Sequence, residues 1–411
     1  MKEIVSYMPK IEKIRIRKIL DSRGNPTVEL DVYAENGIKC RAAAPSGASK
    51  GSMEVKEYPK EGIDFAIGQA IEKIVPKIVG NDIATYQEVD KILHEIDGTT
   101  DFSKIGGNIA VVFSLGVAKA AAKAENMELY QLLLGKNNPV MPFPLGNIIG
   151  GGKHAVNGTT MQEFLSVSFG KTYSNSAFAN VMVHKRVGEL LKKKFPGIPL
   201  GLGDEKAWVA MVDDAGALGL VSEAVSAVSK EVGFDLFPAI DMAATNFYTG
   251  ARYEYNNGKR LTTEEQIDFV SELAEKFSVN IIEDPLTESD FDGLAALTRR
   301  IGNKTMIVGD DIFVTNKERL KEGIRKGAAN AILIKPNQIG TLSDMIETVK
   351  LAKKNNYETV ISHRSGETED FTIAHLAVGL GIKYIKTGTI GGERTAKHNE
   401  LIRIEEAIWK K

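Results

Sequence analysis

Six ionisable residues in the second half of the chain could do chemistry together, because each stands at the end of a short apolar run. These residues are Asp241, Glu283, Asp310, Lys335, His363 and Lys386. Helical stretches separate the runs, which recur at roughly 25- to 40-residue intervals, as βα units do. In a parallel β/α barrel, side chains from several strands converge at the C-terminal strand ends. We therefore expect the six residues to share one site.

Three of the six, Asp241, Glu283 and Asp310, are carboxylates on consecutive predicted strands. Directed at one barrel mouth, they would repel one another unless a divalent cation lay between them. Oxygen ligands suit magnesium, whereas zinc normally recruits His or Cys. Lys335 on the next strand is a poor ligand but a suitable base, because burial and nearby cations lower the pKa of a lysine. Metal ions stabilise the enediolate formed when a proton is removed next to a carboxylate, so the pattern predicts enolate chemistry.

Taken alone, each of the six residues also has a purely structural explanation, since a charged side chain commonly marks the point where a strand meets solvent. The predicted strands are defined by apolar runs that each end at a polar or charged residue. Their bounds are 237–240, 279–282, 305–308, 331–334, 358–361 and 383–385. Only the coincidence of six such ends favours a shared site over six separate strand exits.

The first part of the chain has a different pattern. Residues 27–32 alternate polar and apolar side chains, Asn36-Gly37 provides a hairpin turn, and 38–42 resume the alternation, which predicts an antiparallel hairpin. Apolar spacing between about 65 and 134 is typical of helices. The proline-containing segment 138–144 suits a stiff connection. We therefore predict an α/β protein with a small α+β N-terminal domain, 1–137, and a TIM-like β/α barrel, 138–411.

Composition narrows the class of protein. A chain of 411 residues exceeds one ordinary core, and a net charge of −2, from 52 Lys plus Arg and 54 Asp plus Glu, gives no reason to expect nucleic acid or a membrane surface as partner. Cys40 is the single cysteine, which fits a reducing compartment. The longest apolar stretch, 109–122, is interrupted by Ser114 and Lys119 and is too short to span a bilayer. We expect a cytoplasmic enzyme with no membrane span.

Nine motifs in order make the chain resemble the enolase family over nearly its whole length. They are DSRGNPTVE at 21–29, PSGAS at 45–49, MQEF at 161–164, GDE at 203–205, IIEDP at 281–285, VGDD at 308–311, IKPNQIGT at 334–341, SHRSGETED at 362–370 and ERTAKHNELIRIEE at 393–406. IKPNQIGT and GTIGGERTAK are most similar to archaeal-type members. The resemblance implies an enolase-type barrel and the reversible dehydration of 2-phospho-D-glycerate to phosphoenolpyruvate in glycolysis and gluconeogenesis.

The resemblance also implies a role for individual residues. The first Mg²⁺ of two per active site would be held by Asp241, Glu283 and Asp310, and Ser49 on the PSGAS loop would serve the second. Lys335 would take the C2 proton, while Glu205, helped by Glu163, would protonate the departing C3 hydroxyl. The catalytic residues that it implies are Glu205, Lys335, Glu163 and His363.

Substrate contacts follow from the same motifs. Arg364 and Ser365 would bind the phosphate, and Lys397 would lie near the substrate carboxylate. His154, after a run of three glycines, and Gln162 would lie on or beside a mobile loop. The full set of substrate-binding residues that it implies is His154, Gln162, Glu163, Lys335, Arg364, Ser365 and Lys397. Outside their motifs, the serines would satisfy turns and the arginine would be a solvated charge.

The sequence departs from the family after GDE, where a glycine is usual and this chain has Lys206. A cation beside Glu205 would weaken it as an acid unless the side chain points to solvent. Two alternatives remain: a related lyase acting on another carboxylate, and a non-catalytic enolase-like protein with a binding or structural role. The resemblance suggests a homodimer or a higher homo-oligomer.

Overall fold

The structure, a computed structural model, describes residues 9–48, 50–83, 86–155 and 158–410. The N-terminal domain contains one antiparallel sheet in the order β1-β2-β3. Its strands are β1 Ile11–Leu20, β2 Pro26–Ala34 and β3 Ile38–Ala43. Asn36 and Gly37 have φ values of 62° and 72°, the left-handed turn that this pair accommodates readily. The predicted hairpin is thus present as β2 and β3, and β1 is an additional strand.

Helices make up the rest of the N-terminal domain. They are α1 Ile63–Gln69, a π-helical turn Ala70–Ile74, α2 Val75–Ile78, α3 Tyr86–Asp97, α4 Gly107–Ala124 and α5 Leu129–Leu134. Helix α4 packs on β2 and β3, and Gly116 allows close approach, since a Cβ there would lie 2.8 Å from Leu30 Cδ2. By length and composition α4 could cross a membrane, but 83% of its apolar window is buried inside the structure, which is typical of a core helix.

The rest of the chain forms a closed eight-stranded barrel. The strands after β3 are β4 Phe143–Gly150, β5 Glu163–Ser168, β6 Gly201–Leu202, β7 Trp208–Val209, β8 Leu236–Asp241, β9 Tyr253–Glu254, β10 Arg260–Leu261, β11 Ile281–Glu283, β12 Met306–Gly309, β13 Ala331–Ile334, β14 Glu358–Ser362 and β15 Tyr384–Lys386. The barrel order is β4-β5-β8-β11-β12-β13-β14-β15, and pairing of β15 with β4 closes it. The two-residue strands β6 and β7 form a hairpin whose β7 pairs with β4.

Helices surround the barrel. They are α6 Tyr173–Lys194, α7 Asp214–Val232, α8 Thr263–Phe277, α9 Phe291–Ile301, α10 Lys317–Lys326, α11 Pro336–Ile339, α12 Leu342–Lys354, α13 Thr372–Gly379 and α14 Gly392–Trp409, with 3-10 turns Gly152–His154 and Ala244–Phe247. Thr262 and Glu265 form a capping box at the start of α8, and Asn316 caps α10. Nine apolar side chains fill the barrel interior: Leu145, Leu165, Val167, Ala239, Ile281, Val308, Ala331, Leu333 and Val360.

One strand direction differs from the parallel barrel assumed in the sequence analysis. Strand β5 pairs antiparallel with both β4 and β8. All six predicted strands are present, and their observed ends lie within two residues of the predicted ones. Because β5 runs the opposite way, its first residue, Glu163, lies at the same end of the barrel as the last residues of the parallel strands.

Candidate active site

Carboxylates from three neighbouring strands lie side by side at this end of the barrel. Glu163 of β5 is in register with Asp241 of β8, and Asp241 is in register with Glu283 of β11. All three are buried. Since neighbouring strands are roughly 4.8 Å apart, this register alone concentrates negative charge in a small volume. The convergence expected from the strand ends is therefore observed for Asp241 and Glu283, and Glu163 joins them because β5 is antiparallel.

Lys386, the last residue of β15, neutralises this group. Its Nζ lies 2.7 Å from Glu283 Oε2, 2.9 Å from Asp241 Oδ2 and 3.3 Å from Glu163 Oε2. Burial by itself would lower the pKa of Lys386, but Asp241, Glu163 and Glu283 raise it well above its ordinary value. Lys386 is therefore an ammonium at the centre of the carboxylates.

Asp310 and Lys335 form a second pair just beyond β12 and β13. Lys335 Nζ donates to Asp310 Oδ2 at 2.5 Å, and Gln338 Nε2 donates to Asp310 Oδ1 at 2.9 Å. The sequence analysis expected a lowered pKa for Lys335. The structure indicates the opposite direction, because the Asp310 charge outweighs the effect of burial and raises the pKa of Lys335.

The donor set fits a divalent cation. Glu283 Oε1 and Gln162 Oε1 are buried and have no hydrogen-bond partner among the described residues. The ligand atoms of Asp310, Asp284 and Asp311 all lie within 4.8 Å of one another, and this group does not include Asp241 or Glu283. Buried carboxylate and amide oxygens with unused lone pairs are the ligands that Mg²⁺ prefers. Here Lys386 and Lys335 offset two of the three negative charges of Asp241, Glu283 and Asp310.

A second cluster lies across the barrel mouth, around Glu205. This residue is on the turn between β6 and β7, and its carboxylate accepts from Asn147 Nδ2 at 3.1 Å. His363 Nε2 lies 3.3 Å from Glu205 Oε2, and His154 Nδ1 lies 3.7 Å from Glu205 Oε1. His154 Nδ1 is also 3.3 Å from Glu163 Oε1. These buried groups can hold a proton between them.

The protons in this cluster are distributed differently from the sequence-based expectation, which placed an acid proton on Glu205. Burial disfavours ionisation of Glu205, but the neighbouring histidines hold its pKa well below the ordinary value. Glu205 and Glu163 outweigh the effect of burial and raise the pKa of His154, while burial and Glu205 raise the pKa of Glu163. Burial lowers the pKa of His363 to about 4. These pKa directions favour a proton on His154 and Glu163 over one on Glu205.

Arg394 fixes the orientation of His363, and the sequence analysis did not identify it. Its guanidinium donates to His363 Nδ1 at 2.9 Å and to the carbonyls of Arg364 and Ser365, both at 2.7 Å. With Nδ1 as acceptor, the proton of neutral His363 is on Nε2, which faces Glu205. Arg394 is fully buried at the start of α14. In the sequence, its position in the ERTAKHNE motif could have identified Arg394 as a site residue.

Arg364 and Ser365 lie beside this cluster and also contact the N-terminal domain. Arg364 forms a two-pronged ion pair with Glu54 at 3.0 and 3.1 Å, and Nη1 also donates to Asn337 Oδ1. Ser365 Oγ accepts from Ala48 N at 2.6 Å. The two residues thus connect the barrel with the segment that flanks residue 49. Ser49 itself lies outside the described residues.

The structure gives Lys397 partners other than the strand-end carboxylates. Its ammonium is bound by the carbonyls of Thr368 and Glu393 at 2.8 and 3.0 Å and by Glu367 at 2.8 Å. With these partners Lys397 stabilises the base of α14 and does not reach the carboxylate group, where Lys386 lies instead. Lys386 stood among the six strand-end residues, so the signal for it was present in the sequence.

Lys206 points away from Glu205. Its side chain is exposed, and its φ of 60° is the left-handed conformation that explains why glycine is usual there. Burial raises the pKa of Glu205, and His363, His154 and Arg394 outweigh it and lower that pKa. Lys206 therefore does not weaken Glu205 through its charge, and the departure affects backbone conformation only.

One small cavity joins both clusters. It is lined by His154, Gln162, Glu163, Glu205, Asp241, Asp310, Lys335, Ser362, His363, Arg364, Ser365 and Lys386. A larger cavity of about 330 Å³ lies elsewhere, beside Cys40, Lys119 and Phe371. Of the two, only the small cavity combines strand-end carboxylates, a lysine pair and a proton-carrying cluster. It is therefore the candidate active site.

Comparison with known proteins agrees with this geometry. Residues 11–133 match the family model described as enolase, N-terminal domain, and residues 138–411 match that of the enolase C-terminal TIM barrel domain. The enolase of Methanothermobacter thermautotrophicus is 51% identical over 97% of this chain and 97% of its own length. The enolase of Natronomonas pharaonis is 51% identical over 97% of this chain and 99% of its own, and that of Picrophilus torridus 46% over 97% and 99%.

The family, the fold and the enzyme class expected from the sequence, a hydro-lyase, are thereby confirmed. Relatives at this identity over nearly the full length leave no large unmatched segment. The chain belongs to the enolase family.

Proposed function

We propose that the described site catalyses the reversible dehydration of 2-phospho-D-glycerate to phosphoenolpyruvate through the residues named below. The single observation that carries this proposal is the placement of Lys335 and the Glu205 cluster around one cavity together with the Asp241 and Asp310 carboxylates. Glu283 contacts Lys386, which also lines the cavity. A base and an acid on opposite sides of a bound substrate can remove a proton and a hydroxyl in separate steps.

In the first step, the C2–H bond breaks and its proton passes to Lys335 Nζ. The electron pair of that bond moves into the substrate carboxylate, producing an enediolate. Lys335 must be neutral to accept the proton, which requires that its contact with Asp310 be weakened when the site is loaded. Lys386 would lie beside the substrate carboxylate, in the role that the sequence analysis gave to Lys397.

In the second step, the C3–O bond breaks as the C2=C3 double bond forms, and the hydroxyl leaves as water. Glu205 would face this hydroxyl and deliver the proton that His154 and Glu163 hold. His363, oriented by Arg394, would limit where the Glu205 carboxylate can move. The enclosed position of these groups keeps the proton from bulk water.

Asp241, Glu283 and Asp310 would hold Mg²⁺. Bound magnesium would supply positive charge to stabilise the enediolate as it forms. Two ions per site remain our proposal, with Ser49 serving the second. Gln162, which donates to Asp241 Oδ2 at 3.2 Å, would align that carboxylate.

Arg364 and Ser365 would bind the substrate phosphate. Arg364 is buried and presents a planar fork, which suits bidentate recognition of a phosphate. Glu54 neutralises Arg364, so phosphate binding must share or replace this ion pair. The site would thus connect phosphate binding with the N-terminal domain.

We also propose a division into domains at 137/138, a cytoplasmic location, a part in glycolysis and gluconeogenesis, and a homodimer or higher homo-oligomer. The gap between the two family-model matches supports the division, and the enolase relatives support the rest.

The test is direct conversion of 2-phosphoglycerate. Purified protein is mixed with 2-phosphoglycerate and magnesium chloride, and phosphoenolpyruvate is followed by its ultraviolet absorbance. We expect product that disappears with a chelator and returns with added magnesium. No product in either sample would contradict the proposal and favour a binding or structural role.

A further inference from the structure

The turn that carries Glu205 is short and conformationally strained. It joins β6 and β7, strands of two residues each, and is closed by hydrogen bonds from Gly203 N to Ala207 O at 2.9 Å and from Lys206 N to Gly203 O at 3.0 Å. Lys206 adopts a left-handed φ of 60°, which residues other than glycine adopt only at a steric cost. Such a turn needs outside support to hold one conformation.

Helix α6 supplies this support through His184. The buried ring of His184 donates from Nε2 to the carbonyl of Lys206 at 2.9 Å. A ring nitrogen that faces a carbonyl must carry the proton, and burial lowers the pKa of His184, so the ring is neutral with its proton on Nε2. The hydrogen bond therefore does not depend on a charged histidine.

Trp208, the first residue of β7, completes the attachment. Its Nε1 donates to the carbonyl of His184 at 2.8 Å, and the two rings are stacked at 5.2 Å with an interplanar angle of 25°. Gly188 makes room, since a Cβ there would lie 2.6 Å from Trp208 Cζ2. The helix thus contacts the turn on both sides of Ala207, through Lys206 O and the indole.

The position of this turn determines where the Glu205 carboxylate lies. Glu205 reaches Asn147, His363 and His154 at 3.1, 3.3 and 3.7 Å, and the backbone N–H of Asp204 donates to the His154 carbonyl at 3.2 Å. A movement of the turn by about 1 Å would break these contacts and can cost on the order of 100-fold in rate. Lys335, by contrast, is held by Asp310 and Thr315, far along the chain from α6.

We propose that His184 and Trp208 are positioning residues that fix Glu205 for delivery of a proton to the departing hydroxyl. The inference rests on the proposed function of Glu205 and assigns to α6 a part in the second step only. It predicts that loss of this attachment slows dehydration while removal of the C2 proton by Lys335 continues.

The experiment compares the two steps in one sample. The full chain, with magnesium chloride and 2-phosphoglycerate in D₂O, is assayed for phosphoenolpyruvate and, by proton NMR, for exchange of the C2 hydrogen. The variants are His184→Leu, which removes the donor, His184→Gln, which retains an N–H donor, and Trp208→Phe, which retains a ring without its N–H. Lys185→Ala, at the exposed neighbouring position, is the matched control.

For His184→Leu we expect dehydration to fall roughly 10- to 100-fold while exchange stays within about threefold of wild type. Glutamine at 184 should restore most of the dehydration rate, Trp208→Phe should be intermediate, and the control should match wild type. A purely structural role would lower both rates together, and that result, or two unchanged rates, would overturn the inference.

Folding of the variants is checked by circular dichroism. If His184→Leu does not fold, the ratio of exchange to dehydration in Trp208→Phe tests the inference instead, because that variant leaves the buried histidine in place. A wild-type protein that forms no product and exchanges no hydrogen would overturn the proposed function as well. Active wild type with unaffected variants would overturn only the inference about α6.

Discussion

The Lys386 ammonium lies 2.9 Å from Asp241 Oδ2, at the centre of the carboxylates contributed by neighbouring strands. Lys397, eleven residues later in the sequence, is equally buried but is bound by Glu367 and by two backbone carbonyls. Two buried lysines near the end of the barrel thus have different environments. Their substitution should have different consequences.

We expect Lys386→Met to lower kcat/KM by roughly 1000-fold, because it removes a positive charge directed at the substrate carboxylate. Lys397→Met should instead lower the free energy of unfolding by about 3–5 kcal/mol, since it leaves the buried Glu367 without its cationic partner. Its kcat/KM, measured on the folded fraction, should stay within about tenfold of wild type. Steady-state kinetics and urea unfolding of both variants provide the check, and the reverse pattern would restore Lys397 as the substrate lysine.

Lys335 and Glu205 should separate the two steps of the reaction. Lys335→Ala should abolish exchange of the C2 hydrogen with solvent, because no other proposed base faces that carbon. Glu205→Gln should retain exchange but lower phosphoenolpyruvate formation by roughly 100-fold or more, since an amide cannot accept the proton from His154 and Glu163 and pass it to the hydroxyl. Proton NMR in D₂O gives both rates. Persistent exchange in Lys335→Ala would remove Lys335 from the role of base.

The strands with buried apolar runs were predictable from the sequence. Ala331–Ile334 matches its predicted bounds, because a run of β-branched and leucine residues between polar neighbours specifies a buried strand. Strand β1 was missed because half of its ten residues are Lys, Arg or Glu and its polar and apolar residues do not alternate strictly. The direction of β5 was also missed, since strand pairing depends on contacts distant in sequence.

The site was predictable where chemistry coincided with a strand end. Asp241 and Lys335 follow this rule. Glu54 and Arg394 do not lie at strand ends. Glu54 acts through Arg364, which is distant in sequence, and Arg394 acts partly through backbone carbonyls. The pKa directions were equally inaccessible, since that of Lys335 depends on its distance from Asp310.

Lys206 provides a test of backbone strain separated from charge. Lys206→Gly should raise the free energy of unfolding by roughly 0.5–1 kcal/mol, because glycine adopts a positive φ without steric cost. The kcat of Lys206→Gly should stay within about twofold of wild type, since the Lys206 side chain is exposed and does not determine the pKa of Glu205. Lys206→Ala, which removes the charge but keeps the strain, is the control. A large rate increase in both variants would show that the charge weakens Glu205 after all.

Asp90 makes stability depend on pH where the N-terminal domain meets the barrel. This carboxylate of α3 accepts hydrogen bonds from Ser343 N at 3.0 Å and Ser343 Oγ at 2.6 Å, at the start of α12. Burial raises the pKa of Asp90 from its ordinary 3.8 to about 6. The folded state therefore binds this proton more tightly than the unfolded state, and the corresponding stabilisation is complete below pH 3.8 and is lost as pH rises to about 6.

We expect the contribution of Asp90 to the free energy of unfolding to fall by about 3 kcal/mol across this range, since each pKa unit corresponds to about 1.4 kcal/mol. Asp90→Asn keeps an acceptor for Ser343 but cannot ionise, so the variant should match wild type near pH 4 and exceed it near pH 7. Urea unfolding at several pH values measures the difference, with Asp292→Asn, at an exposed position, as the control. A difference between Asp90→Asn and wild type that does not change with pH would show that Asp90 ionises alike in the folded and unfolded states.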